Sequence, residues 1–177
     1  MNKTIFIWVG VFVVTFGAIG LLMYQNQKSL APKYFEEAKV ISAEDWVKKA
    51  PNEKIVLVEY GDFECPACAI YEPVVREFVK TYADQMTFVF RHFPLAQHDY
   101  SVPSALAAEA AGRQGKFWEM HDMLYDKQQE WAGKKDFDSL VKQYATELKL
   151  DIAKFEADVK DQALRDRIQR DQTSGNK

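Results

Sequence analysis

The sequence predicts an α/β domain carried behind one N-terminal membrane helix, and three observations predict it. The first is an uncharged apolar run close to the N-terminus. The second is a pair of apolar, β-branched runs, Ile55–Tyr60 and Met86–Phe93, with a helix-forming stretch between them. The third is a helical tail from Pro103 to Asp171 with no strand signal inside it. At 177 residues the chain has room for one domain and an appendage. With 47% hydrophobic and 14% aromatic residues, 8 Gly and 6 Pro, it is neither low-complexity disorder nor collagen. A formal net charge of -3 offers no basic field to hold a phosphate backbone, so nucleic acid is not an expected partner.

No charged residue occurs between Lys3 and Lys28. Inside that window Ile5–Tyr24 is long enough, as a helix, to cross a hydrocarbon core of about 30 Å. Trp8 and Tyr24 lie near its two ends, where amphipathic rings favour the interface. Residues 1–27 are therefore read as a transmembrane anchor, 28–40 as a polar tether broken by Pro32, and 41–177 as the folded domain. The competing reading is a cleaved signal with Ser29-Leu30-Ala31 as its cleavage site, although the apolar run exceeds the usual h-region. Lys3 precedes the span while Lys28, Lys33 and Lys39 follow it, so the positive-inside count does not set the orientation. A short N-terminus ahead of a long domain favours a single-pass protein with the domain outside the cytoplasm.

Within the domain, Ser42 with Asp45 three residues on reads as a helix start, giving a short helix Ala43–Ala50 ended by Pro51. Ile55–Tyr60 reads as a strand buried on both faces. After Cys65-Pro66 a helix follows with Tyr71, Val74, Val75, Phe78 and Tyr82 on one side, kinked at Pro73. Met86–Phe93 is the next strand, and the helical crossover makes the two strands parallel. Pro103 opens the helical region in its first turn, Gly115 interrupts it before a second helix, and Gly133 lies in the turn leading to Phe137–Leu148. Asp151 then caps one last helix carrying Ile152, Phe155, Val159, Ala163 and Ile168, stopped at Gly175-Asn176.

The two cysteines lie in Cys65-Pro66-Ala67-Cys68, immediately after a strand and at the head of a helix. Helical residues three apart can form a disulfide. Cys65 faces the unsatisfied N–H groups and positive end of the helix, which favour a thiolate nucleophile. Cys68, one turn inward, suits resolution of a mixed disulfide. Pro66 pre-sets the helical dihedral without wasting a donor. The expected chemistry is thiol–disulfide exchange, in which a substrate thiolate attacks the oxidised pair and a second substrate thiol displaces Cys65. Asp62 and Glu64 flank Cys65, and their charge opposes the helix dipole. Glu59, six residues before Cys65, is a candidate buried acid that exchanges protons with Cys68, and a partner for Arg91 on the adjacent strand.

Other residues read as structural. His92 and His98 complete a C-x2-C…H-x5-H pattern, but the gap from Cys68 to His92 exceeds that of a zinc finger, so no metal and no cofactor are expected. His121 reads as one side of an amphipathic helix, and Phe117, Trp118, Met120, Leu124 and Tyr125 as core. The alternating charges of the last helix read as a solvated face.

The stretches VLVEYGDFECPAC, FVFRHFPL and AAEAAGRQGKFWEMHDMLY together resemble the DsbA-like branch of the thioredoxin superfamily, over nearly everything after residue 40. The resemblance implies a thioredoxin-like fold with a helical insertion at about 103–171. It implies Cys65 as nucleophile, Cys68 as resolving thiol and Glu59 as buried acid. It further implies exported proteins with free cysteines as substrates and a membrane quinone-linked thiol oxidase as recharging partner. A dithiol oxidase is the leading expectation, with a reductase, an isomerase or a non-catalytic metal- or thiol-binding module as alternatives. Ala67 stands between the cysteines, and the redox potential is left open. Family members continue after the last helix into a cis-proline loop and two further strands. None of Pro32, Pro51, Pro66, Pro73, Pro94 and Pro103 is placed to serve there, and in a complete chain Ile55–Tyr60 would be left as an exposed apolar edge, so the sequence is expected to be truncated.

Overall fold

A computed structural model describes Leu21 and residues 41–177. The expected anchor and tether lie, Leu21 apart, outside the described residues. Three strands form one sheet in the order β1-β3-β2, where β1 is Trp46–Lys48, β2 is Ile55–Gly61 and β3 is Met86–His92. β2 and β3 are parallel, in register from Ile55 opposite Met86 to Gly61 opposite His92. They are joined by helix α1, Pro66–Thr81. All seven residues of β3 are buried, as its central position requires.

Two expectations about the strands are corrected. The segment 43–50 is not a helix. Ser42 and Asp45 do make the local turn their spacing announces, with the Ser42 N–H donating to Asp45 Oδ2 at 2.7 Å. The chain then extends, because Trp46, Val47 and Lys48 pair antiparallel with Phe90, Val89 and Phe88. The Trp46 ring also stacks on Phe117 at 4.1 Å between centroids and donates its Nε1–H to Glu109 at 2.7 Å. Long-range pairing overrides local propensity here. Nor is β2 buried on both faces. Among the described residues β3 is its sheet neighbour on one side, and Ile55 stays 60% exposed.

α1 runs through Pro73 as one helix. Its aromatic and aliphatic stripe faces outward: Tyr71, Val74, Phe78 and Tyr82 expose between 47% and 66% of their surface. The inward side instead carries Cys68, Ala69, Val75 and Val79, and with them the charged Glu72.

From residue 101 onward the described chain is helical: α2 Ser101–Gly112, α3 Phe117–Asp126, α4 Gln128–Trp131, α5 Phe137–Glu147, α6 Ile152–Asp158 and α7 Gln162–Gly175. The expected single last helix is two. Asp151 caps the first by accepting the Lys154 N–H, and Asp161 starts the second by accepting the Ala163 N–H. A second capping residue stops a helix that the apolar spacing alone reads straight through. The alanine-rich α2 is buried along most of its length and packs against α3, α6 and α7. Between α3 and the sheet lies an aromatic core in which Phe63, Phe90, Phe117 and Tyr125 surround His121.

Candidate active site

The site begins where β2 ends. Gly61 is required there, since a Cβ at that position would lie 2.4 Å from Phe90 Cε2 and 2.8 Å from the Tyr125 hydroxyl. The turn from Asp62 to Glu64 follows, and its acids do not aim at the thiols. Asp62 accepts hydrogen bonds from the Glu64 and Leu95 N–H groups at 2.9 and 3.1 Å and pairs with His98 Nδ1 at 2.6 Å. Glu64 accepts the N–H groups of Tyr100 and Gly133. Both acids are buried braces of the turn.

Cys65 is the N-cap residue of α1, extended at φ -69° and ψ 119°, and Pro66 follows in the first turn. The Cys65 N–H donates to the Asp62 carbonyl at 3.2 Å, and its own carbonyl accepts the Ala69 N–H at 3.2 Å. Cys65 and Cys68 are both free and partly buried. Burial pushes the Cys68 thiol up to about 11; the adjacent Cys65 thiol adds to this, a backbone hydrogen bond from Asp62 opposes it, and the Asp62 charge contributes least.

Around the Tyr125 hydroxyl, on which the charges of Glu59, Cys68 and Glu72 all act, lies a cluster of polar groups drawn from three elements. Glu59 and Gly61 share one face of β2, since side chains alternate along a strand. Cys68 and Glu72 lie one turn apart on α1, and His121 and Tyr125 one turn apart on α3. Glu59 Oε2, Glu72 Oε2 and the Tyr125 hydroxyl are buried and have no hydrogen-bond partner among the described residues. Burial raises the Glu59 carboxyl to about 7, with the Glu72 charge adding and Lys48 opposing. Burial raises Glu72 to about 7 as well, against the pull of Arg76. Tyr125 is held well above its ordinary range by burial and then by the charges of Glu59, Cys68 and Glu72. A carboxyl poised near neutrality can take up and release a proton.

The expected Glu59–Arg91 pair does not form, and strand geometry explains why. Glu59 is opposite Phe90, whereas Arg91 is opposite Tyr60 and so projects from the other face. Arg91 there binds Asp45 and the Tyr60 hydroxyl. The histidines are likewise committed. Burial, with Arg167 adding to it, lowers His92 to about 3, and the neutral ring bonds Glu109 through Nε2 at 2.7 Å. Glu72, His121 and Asp122 bring ligand-type atoms within 4.8 Å of one another. Arg76 already supplies a positive charge to that group, 3.4 Å from Glu72 and 3.7 Å from Asp122.

A family model described as thioredoxin matches residues 47–177. The chain belongs to the thioredoxin family. It is 36% identical over 179 residues to the Na(+)/H(+) antiporter NhaA 3 of Salinispora tropica, a match covering 92% of this chain and 26% of that protein. The chain thus spans about a quarter of that relative's length, and antiport is not assigned to it. Among solved structures it is similar to Wolbachia pipientis alpha-DsbA1, with a TM-score of 0.69, 21% identity and coverage of 79% and 71% of the two chains. It is also similar to the thiol-disulfide exchange protein alpha-DsbA2 of the same organism, with a TM-score of 0.66, 16% identity and coverage of 84% and 77%. The fold is the thioredoxin-like α/β fold in its DsbA-like form.

Two residues of this thioredoxin-family site escaped the sequence reading. Glu72 carried a usable signal, four positions beyond Cys68 on the same helical face. Gln128 carried none. Its buried carboxamide donates to the Phe63 carbonyl at 2.7 Å and to the Cys65 carbonyl at 3.0 Å.

Proposed function

We propose that the chain is a thiol–disulfide oxidoreductase working through Cys65 and Cys68, and that it forms disulfides in exported proteins. The observation that carries this reading is the dithiol at the head of α1, with an acid, Glu59, whose charge acts with that of Cys68 on the Tyr125 hydroxyl. In the oxidised protein a substrate thiolate attacks Cys65 Sγ and breaks the Cys65–Cys68 bond. The Cys68 sulfur leaves with the electron pair and takes a proton, for which Glu59 is the donor. The second substrate thiol then attacks the mixed disulfide and expels Cys65. Two electrons and two protons pass from the substrate to the protein, and a substrate disulfide is released. The anchor Ile5–Tyr24 would hold the domain on the outer face of the membrane, where a quinone-linked thiol oxidase would remove those electrons.

A glutathione equilibrium titration of the pair tests the direction of flux. A potential well above about -270 mV, the thioredoxin value, supports an oxidase. A potential near or below it replaces the oxidase with a reductase. Absence of any exchange, with metal retained in protein purified under reducing conditions, replaces both with a binding module.

A further inference from the structure

The turn that presents Cys65 is gripped by a segment far along the chain. Phe63, Glu64 and Cys65 are each held from residues 128–133: the two carbonyls by Gln128 Nε2, and the Glu64 carboxylate by the Gly133 N–H at 3.1 Å. Gly133 reaches that position at φ +68°, a conformation glycine adopts without strain. Gln128 is 2% exposed, so its hydrogen bonds are not shared with bulk water. The grip is itself anchored. Trp131, at the other end of α4, is fully buried and donates its Nε1–H to the Leu124 carbonyl at 2.9 Å.

We infer that Gln128 is a positioning residue for thiol exchange, fixing the peptide plane that follows Cys65 and thereby the placement of the Cys65 sulfur at the head of α1. This inference rests on the oxidoreductase reading above. Gln128 acts through the Cys65 carbonyl. That carbonyl belongs to the Cys65–Pro66 peptide, which has no N–H of its own to anchor it. Its orientation is set by two donors, the Ala69 N–H at 3.2 Å along the helix and the Gln128 carboxamide at 3.0 Å from the side. With the helical bond alone, ψ of Cys65 can rock and swing the sulfur relative to the N–H groups of the first turn. The Phe63 carbonyl, in a residue 1% exposed, holds the other end of the turn through the same carboxamide. Removing both donors also leaves negative carbonyl oxygens less compensated beside the sulfur, which disfavours negative charge there.

The test uses the full chain with Gln128→Met, which keeps the length of the side chain and removes both donors. The expected result is a glutathione equilibrium displaced about five- to tenfold toward the disulfide form, with exchange slowed by a similar factor, the share of one hydrogen bond. A variant whose Tm falls while equilibrium and rate stay within about twofold of the parent overturns the inference and leaves the oxidoreductase reading intact. Should Gln128→Met fail to fold, side-chain amide spectra of the unmodified protein decide. Gln128 resonances that move between dithiol and disulfide forms support the inference, and unmoved resonances overturn it. A parent that exchanges no thiols with glutathione removes the oxidoreductase reading and this inference together.

Discussion

Arg91 grips Asp45 through two hydrogen bonds of 2.9 Å each, Nε to Oδ1 and Nη2 to Oδ2, with both side chains almost wholly buried. The pair ties the turn before β1 to the central strand. Burial pushes the Asp45 carboxyl up, but the hydrogen bonds from Arg91 and the Ser42 backbone outweigh it and hold the group below its ordinary 3.8. A depressed carboxylate stabilises the fold above its unfolded pKa and loses that contribution as pH falls through the folded value. Arg91→Met is expected to lower stability by on the order of 3 kcal/mol, since it strands a buried charge. Denaturant melts at neutral pH check the loss, and the difference between variant and parent should shrink once the pH is well below 3.8.

Glu59 and Glu72 impose the opposite dependence on pH. Each is raised from 4.5 to about 7 in the folded protein, so the folded state binds more protons than the unfolded chain across that interval. Stability therefore falls as pH rises from about 4.5 through 7. Glu59→Gln removes one contributor, and its Tm is expected to exceed the parent's at pH 8 while matching it near pH 4. The gain at pH 8 is on the order of 3 kcal/mol. Calorimetry at the two pH values reads it directly.

The same substitution has a kinetic consequence. If Glu59 supplies the proton that Cys68 takes on leaving, Glu59→Gln slows that step and removes its dependence on pH near 7. Stopped-flow exchange between pH 5.5 and 8.5 shows the effect as a flattened profile, with a loss of about tenfold or more at neutrality. An unchanged profile assigns Glu59 to structure alone.

Cys68→Ser is expected to accumulate mixed disulfides through Cys65, because nothing remains to resolve them, whereas Cys65→Ser abolishes exchange. Non-reducing gels of cell extracts, followed by mass measurement of the trapped adducts, check the order. Adducts on Cys65→Ser in place of Cys68→Ser would reverse the two assignments.

Gly61→Ala should be among the most damaging small substitutions in the domain. The added Cβ meets Phe90 at 2.4 Å and the Tyr125 hydroxyl at 2.8 Å, and both rings are buried in the core. Overpacking of this kind costs about 1–3 kcal/mol, read as a fall in Tm.

The central β2–α1–β3 unit is legible in the sequence because its signals are local. Two apolar runs, a Pro after a Cys and a helix-length gap are enough. β1 is not legible: Trp46 is extended by partners at Phe90 and Phe117, far along the chain. The outward stripe of α1 misleads for a related reason. Periodicity finds the apolar face at Tyr71, Val74 and Phe78, but what a face packs against is a property of the tertiary structure. In the site, Glu59, Cys65, Pro66 and Cys68 stand out by type and spacing. Gln128 does not, because a glutamine on a four-residue helix announces nothing until the turn it serves is in place.

The brackets on the cysteine turn also have a timing consequence. Glu64 and Cys65 are held by Gly133 and Gln128, and Tyr60 by Ser174, which lies 114 positions later. A ribosome adding roughly 5–20 residues per second needs about 3–14 s to travel from the cysteines to Gly133. Throughout that interval the nascent chain carries two thiols without the parts that orient them, at the stage when stray oxidation or pairing with another emerging chain is easiest. Newly made protein therefore acquires its reactivity late, when the last helices dock.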